Sequence, residues 1–119
     1  MAFDMNRFTQ KSQEALIAAQ SIAERNGNSQ VEPEHLLLSL LEQGDGVVPQ
    51  VLGKLDLPVG ILVRKTRQEI EKMPRITGGG IQLTVSPRLR TVLLAAHDEM
   101  EAFRDEYVST EHLLLAILD

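Results

Sequence analysis

Residues 6 to 42 return at residues 83 to 119 with a constant offset of 77 positions and no gap. Eleven pairs are identical, among them Leu16/Leu93, Ala18/Ala95, Ala19/Ala96, Val31/Val108 and the block Glu34-His35-Leu36-Leu37-Leu38, which recurs as Glu111-His112-Leu113-Leu114-Leu115. Chance gives roughly two or three identities over such a stretch, so one unit is used twice. Two copies are too few for a stacked solenoid, which needs about three or more. A pseudo-two-fold globule is the expected solution, and 119 residues suffice for one modest core.

Both copies read as helical. Ala15, Leu16, Ala18, Ala19, Ile22 and Ala23 recur at three- and four-residue spacing between Thr9 and Asn26, and Gly27 supplies the stop. Thr9 is the expected N-cap of this first helix. Its repeat mate Ser86 caps the fifth, where Pro87 suits the first helical position and the helix runs to about Arg104. Pro33 opens a second helix and Ser109 its counterpart, the sixth; both are apolar on nearly every side and are expected at the centre. Val47 to Leu55 and Val59 to Lys72 read as the third and fourth helices. Met73 to Val85, with Gly78-Gly79-Gly80, cannot be helical throughout and reads as a flexible linker. The expected layout is all-α: repeat one over 6–72, linker 73–85 and a partial repeat two over 86–119. The second copy lacks counterparts of Val47 to Lys72, so the chain reads as part of a longer domain whose sixth helix exposes aliphatic surface.

With no Cys or Trp and 3% aromatic residues, the core must be aliphatic and free of disulfides, and a reducing compartment, the cytoplasm, is expected. Met1 to Thr9 has no apolar segment of the signal-peptide kind, and no apolar run approaches membrane-spanning length. The net charge of -5 is spread among interleaved acids and bases, which argues against nucleic acid as a partner.

The triple glycine lacks the Gly-Lys-Ser/Thr that cradles phosphate, so no nucleotide site is expected. Adjacent Glu-His pairs diverge by about 100° on a helix and chelate poorly, so no metal is expected there. His35 and His112 belong instead to first turns, bonded to backbone or carboxylate, with Glu34 and Glu111 favoured by the positive helix end. No Ser-His-Asp arrangement is legible, and catalysis is not expected. What remains is a binding module with a groove where the copies meet. Thr9 and Ser86 bring helix N-termini towards it, and Asp105, Glu106 and Tyr107 precede the sixth helix, where acids beside an apolar groove would select basic or amphipathic segments.

The string Asn6-Arg7-Phe8-Thr9-Gln10-Lys11-Ser12-Gln13-Glu14-Ala15-Leu16, with Pro33-Glu34-His35-Leu36-Leu37 and Ser109-Thr110-Glu111-His112-Leu113-Leu114, resembles the N-terminal domain of Clp-family AAA+ ATPases. The segment Lys72-Met73-Pro74-Arg75-Ile76-Thr77-Gly78-Gly79-Gly80 is similar to the bacterial disaggregase branch of that family. The resemblance spans essentially the whole chain. It implies a tandem repeat of a four-helix module, of which this chain carries about six helices, tethered to ATPase rings. It further implies a homohexameric parent protein that uses ATP to thread aggregated polypeptides, together with the DnaK chaperone system. No cofactor is implied for this segment, which is expected to be monomeric. Substrate contact is implied at Thr9, Asp105 and Glu111, with Leu93 and Leu113 as apolar partners. The expected function is transient binding of apolar segments of unfolded proteins. The alternative is a docking platform for a folded adaptor on outer polar faces such as those bearing Arg64 and Glu69.

Overall fold

The repeat unit dictates the architecture seen in the computed structural model, which describes residues 5–76 and 82–118. A 3-10 turn at Met5–Arg7 leads into α1 (Gln10–Arg25). β1 (Gln30–Val31), α2 (Pro33–Leu41), α3 (Val47–Lys54) and α4 (Val59–Glu71) complete the first copy. β2 (Thr84–Val85), α5 (Pro87–Ala102) and α6 (Thr110–Leu118) form the second. All six helices legible in the hydrophobic spacing are present, and the protein is all-α apart from its two-residue strands.

The helix ends are built alike in both copies. Thr9 Oγ1 accepts from the Ser12 amide at 3.1 Å and Ser86 Oγ from the Leu89 amide at 3.0 Å, each satisfying one unpaired first-turn donor. At the far end of α1, Gly27 turns left-handed with φ 72°, its amide donating to Glu24 and that of Asn28 to Ala23. Its repeat mate Arg104 does the same with φ 58°, its amide donating to Glu101 and that of Asp105 to Met100. This paired bonding is the Schellman termination, in which orphan carbonyls of the last turn find donors.

The two copies are tied by exchange. β1 pairs parallel with β2, Val31 against Val85, and Phe8 forms a parallel bridge with Val108. A shift of 77 carries Phe8 to Val85 and Val31 to Val108, so these are one pairing seen twice. The Ser86 amide donates to the Val31 carbonyl at 3.1 Å, and the Thr9 amide to the Val108 carbonyl at 3.0 Å. Each copy therefore sends the segment before its first helix across to the other copy, which establishes the pseudo-two-fold relation.

One apolar core spans both copies. Ala15, Ala19 and Ala23 repeat every four residues on one face of α1 and are fully buried, and such small residues let α2 approach closely. Ser39 of α2 seals that contact by donating to the Ala15 carbonyl at 2.8 Å. Leu36 and Leu40 of α2, Leu89, Leu93, Ala96 and Met100 of α5, and Leu113 of α6 belong to the same cluster. Burying each leucine contributes about 2 kcal/mol.

Two expectations need refinement. α2 is central, but α6, packed against α1, α2, α3 and α5, leaves one face to solvent: Leu115 is 48% exposed whereas its mate Leu38 is 2% exposed. α4 packs on α2, and among the described residues no helix takes that place on α6. The linker expected over 73–85 is fixed at both ends. Ile76 donates from its amide to the Gly27 carbonyl at 2.8 Å, Asn28 Nδ2 donates to the Pro74 carbonyl at 3.0 Å, and Thr84–Val85 is β2. Gly78-Gly79-Gly80 lies outside the described residues. Among the described residues, no helix is long and apolar enough to cross a membrane.

Candidate functional site

The exchange of strands leaves a cavity of about 290 Å³ where α1 and α5 face each other. Its walls carry two pairs of repeat mates, Phe8 with Val85 and Leu16 with Leu93, so the cavity straddles the pseudo-two-fold axis. Leu89 and Leu93, almost fully buried, form its floor together with Val31, while the exposed Met5, Ile17 and Val85 form its rim. The remaining lining residue, Gln20, is polar but uncharged. Four further cavities among the described residues all carry charged side chains: Arg25, Glu42, Arg67 and Glu71 in one, Lys11 and Asp45 in a second, Arg88 in a third and Glu32 in the fourth.

Of the residues singled out in the sequence, Leu93 lines this cavity and the others do not. Leu113 has no exposed surface and cannot touch a ligand; it is a core residue, as is its mate Leu36. Thr9 is committed to capping α1, and its hydroxyl also donates to Ser12 Oγ at 3.0 Å. Ser12 in turn donates to the Val108 carbonyl at 3.0 Å, and Arg7 Nε to the Glu106 carbonyl at 3.2 Å. These bonds hold the start of α1 against the loop that carries Asp105. Glu111 is exposed at the start of α6, its carboxylate accepting from Thr110 Oγ1 at 3.2 Å.

Asp105 is half of a device that both copies possess. In the first copy His35 Nδ1 accepts from the Glu32 amide at 2.8 Å, which places the ring proton on Nε2, and that group donates to Asn28 Oδ1 at 2.9 Å. In the second, His112 Nδ1 accepts from the Ser109 amide at 2.8 Å, and Nε2 meets Asp105 Oδ2 at 2.9 Å. Each imidazole thus caps its helix from the third helical position and ties the preceding loop to the core. Burial holds the His35 imidazole below its ordinary value of 6.5, against the opposing pull of Glu32 and Glu34. The rim residues Met5, Ile17 and Val85 were missed because exposed apolar residues fall outside the amphipathic pattern; the signal available was that Phe8 and Val85 are repeat mates flanking the caps.

Among the described residues one group has metal-ligating spacing, His97, Asp98 and Glu101 on α5, with ligand atoms within 4.8 Å of one another. It is a surface cluster: His97 Nδ1 lies 3.4 Å from Glu101 Oε1, and both carboxylates are exposed.

Residues 7–119 match the family described as "Clp repeat (R) N-terminal domain". A chaperone protein ClpB of Bdellovibrio bacteriovorus is 46% identical over 110 residues, covering 92% of this chain and 13% of that protein. The ClpB of Nitratidesulfovibrio vulgaris is 39% identical over 119 residues, covering 98% of this chain and 14% of that protein. The chain therefore spans about one seventh of the length of these curated relatives. Among solved structures, the Hsp104 N-terminal domain of Candida albicans superposes with a TM-score of 0.86 at 23% identity, over 94% of this chain and 73% of that one. A ClpV N-domain solved in complex with a VipB peptide superposes with a TM-score of 0.76 at 21% identity, over 99% of this chain and 74% of that one. The family match over residues 7–119 and the 46% identity to a ClpB over 92% of this chain show that the chain belongs to the Clp repeat N-terminal domain family.

Proposed function

We propose that this domain transiently binds apolar segments of unfolded or aggregated polypeptides in the cavity between α1 and α5. In the longer protein implied by its ClpB relatives, it passes them to an ATP-driven AAA+ hexamer working with the DnaK system. The observation that carries the reading is the cavity's lining, which has an aliphatic floor and rim and no charged side chain. Apolar side chains leaving water for such a surface gain about 25 cal/mol per Å² of area buried. A cavity of this size accepts only a few side chains, and a disordered client loses entropy on being ordered, so micromolar or weaker binding is expected. Weak binding suits a domain that must release its client. The domain itself supplies no catalytic step in this reading.

Ile17 provides the test, because it lines the cavity yet is 60% exposed, so a polar replacement leaves the core intact. In an NMR titration with an aliphatic peptide, shifts should cluster at Leu16, Gln20, Leu89 and Leu93. Ile17→Asp should weaken binding about tenfold, equivalent to about 1.4 kcal/mol. Binding that is indifferent to Ile17→Asp but lost on charge reversal at Arg64 or Glu69 would favour docking of a folded adaptor on the face of α4 instead.

A further inference from the structure

The strand pairing that ties the copies together leaves one main-chain edge unsatisfied beside the cavity. From that edge and the apolar lining next to it we infer that the client binds as an extended strand, pairing its main chain with the outer edge of β2 at Val85 and turning alternate apolar side chains to the cavity. The inference rests on the binding reading above and adds to it the conformation of the client and the atoms that hold it.

Successive residues of a strand turn their N–H and C=O groups to opposite edges. The Thr84 amide donates to the Ser29 carbonyl at 3.2 Å and the Ser86 amide to the Val31 carbonyl at 3.1 Å, so both face β1. Val85, between them, presents its N–H and C=O to the opposite edge, and neither meets a hydrogen-bond partner among the described residues. The equivalent edge of the other copy is closed. The Phe8 amide donates to the Met5 carbonyl at 3.1 Å across the 3-10 turn, and the Phe8 carbonyl accepts from Gln13 Nε2 at 3.0 Å. The second copy has Gln82 and Arg90 at the positions of Met5 and Gln13. Residues 82 and 83 form no such turn, and the exposed Arg90 makes no bond to the Val85 carbonyl. Phe8 is 3% exposed and Val85 37%, so the open edge is also the one that solvent reaches.

Such an edge selects another main chain, because a backbone offers a donor and an acceptor at the spacing of the ladder. Strand edges are commonly blunted by charge or proline. The segment Gln82-Leu83-Thr84-Val85-Ser86 has neither. Val31 and Val85 are register partners, so their side chains share one face of the ladder, and both line the cavity. A third strand beside β2 continues that face. The client residue opposite Val85 turns its side chain towards the cavity, and its two neighbours turn theirs away. Since the lining carries no charge, the inward side chain is apolar and the outward ones are free to vary. Main-chain bonds are the same for every sequence, which suits clients that share no motif.

The experiment titrates the isotopically labelled 119-residue chain with a short capped peptide alternating serine with leucine or valine. Two further versions are methylated on nitrogen, one at every leucine and valine and the other at every serine, which removes the donors of one edge of the peptide and leaves the protein untouched. Expected is that one version binds about fivefold or more weakly than the parent while the other stays within about twofold. With the parent at saturation, solvent exchange of the Val85 amide should slow about fivefold or more. If both versions bind like the parent, or both are weakened alike, while amides lining the cavity still respond, the client is not held as a strand and the inference falls with the binding site standing. If the Val85 amide is protected in a concentration-dependent way before peptide is added, a second copy of the chain occupies the edge and the inference falls. If no amide lining the cavity responds at saturating peptide, the binding reading and the inference fall together.

Discussion

At Asp105 the second copy differs from the first by one atom type, an oxygen where Asn28 carries its amide nitrogen, and the difference tests what this residue does. If Asp105 acts by fixing His112, then Asp105→Asn reproduces the His35–Asn28 arrangement and should leave the thermal midpoint nearly unchanged. Asp105→Ala leaves the His112 Nε2 proton without its acceptor and should cost about 1 kcal/mol. Calorimetry on the two variants decides the structural role. Loss of peptide binding in Asp105→Asn at unchanged stability would assign the carboxylate to the client instead. His35 gives a second prediction at this scale. Its folded-state value lies below 6.5 because burial disfavours the cation, so the unfolded chain takes up the proton first. The associated stability is present above pH 6.5 and is lost as pH falls through the folded-state value. The urea midpoint should fall on acidification, and NMR at pH 6.5 should show the neutral Nε2–H form of the His35 ring in excess over the cation.

Helix termini carry the clearest element-scale difference between the copies. The same left-handed turn is made by Gly27 after α1 and by Arg104 after α5, and a side chain in that region costs roughly 1–2 kcal/mol. Arg104→Gly should therefore raise stability, by about 0.5–1 kcal/mol once the added freedom of the unfolded glycine is subtracted. Gly27→Ala should lower it by about 1 kcal/mol. Chemical denaturation of both variants checks the signs. The helices themselves were legible because each combines a periodic apolar face with a cap or a proline at its start, as in Ser86-Pro87. β1 and β2 were not legible, since two residues carry no period and their pairing is decided across the molecule. The same limit applied to the site. Leu93, like Leu113, was named through the resemblance, and its repetition of Leu16 spoke equally for the core, whereas Met5 and Ile17 join the cavity only through the three-dimensional arrangement of α1, α5 and the exchanged strands. Leu113, which repeats a core leucine, was drawn towards the surface by resemblance alone.

For the molecule as a whole, the exchanged strands predict that neither copy folds by itself. A chain of residues 5–76 lacks the partner of Val31 and the leucines of α5 and α6 that complete its core. It should show little helical circular dichroism alone and regain it when mixed with a chain of residues 82–118. A cooperative unfolding transition in the isolated first copy would refute this. The pseudo-two-fold axis was implied by the offset of 77, but its position in the cavity follows from the exchange and could not be read from sequence.

That exchange also makes each copy the scaffold of the other. A unit whose leading segment lies against another unit cannot close on itself, and joining the two in one chain keeps the partner at high effective concentration. The two halves need not be identical for this: Asn28 stands where the second copy has Asp105, and Ser12 where it has Leu89, while Val31 and Val108, which receive the other copy's leading segment, are the same residue.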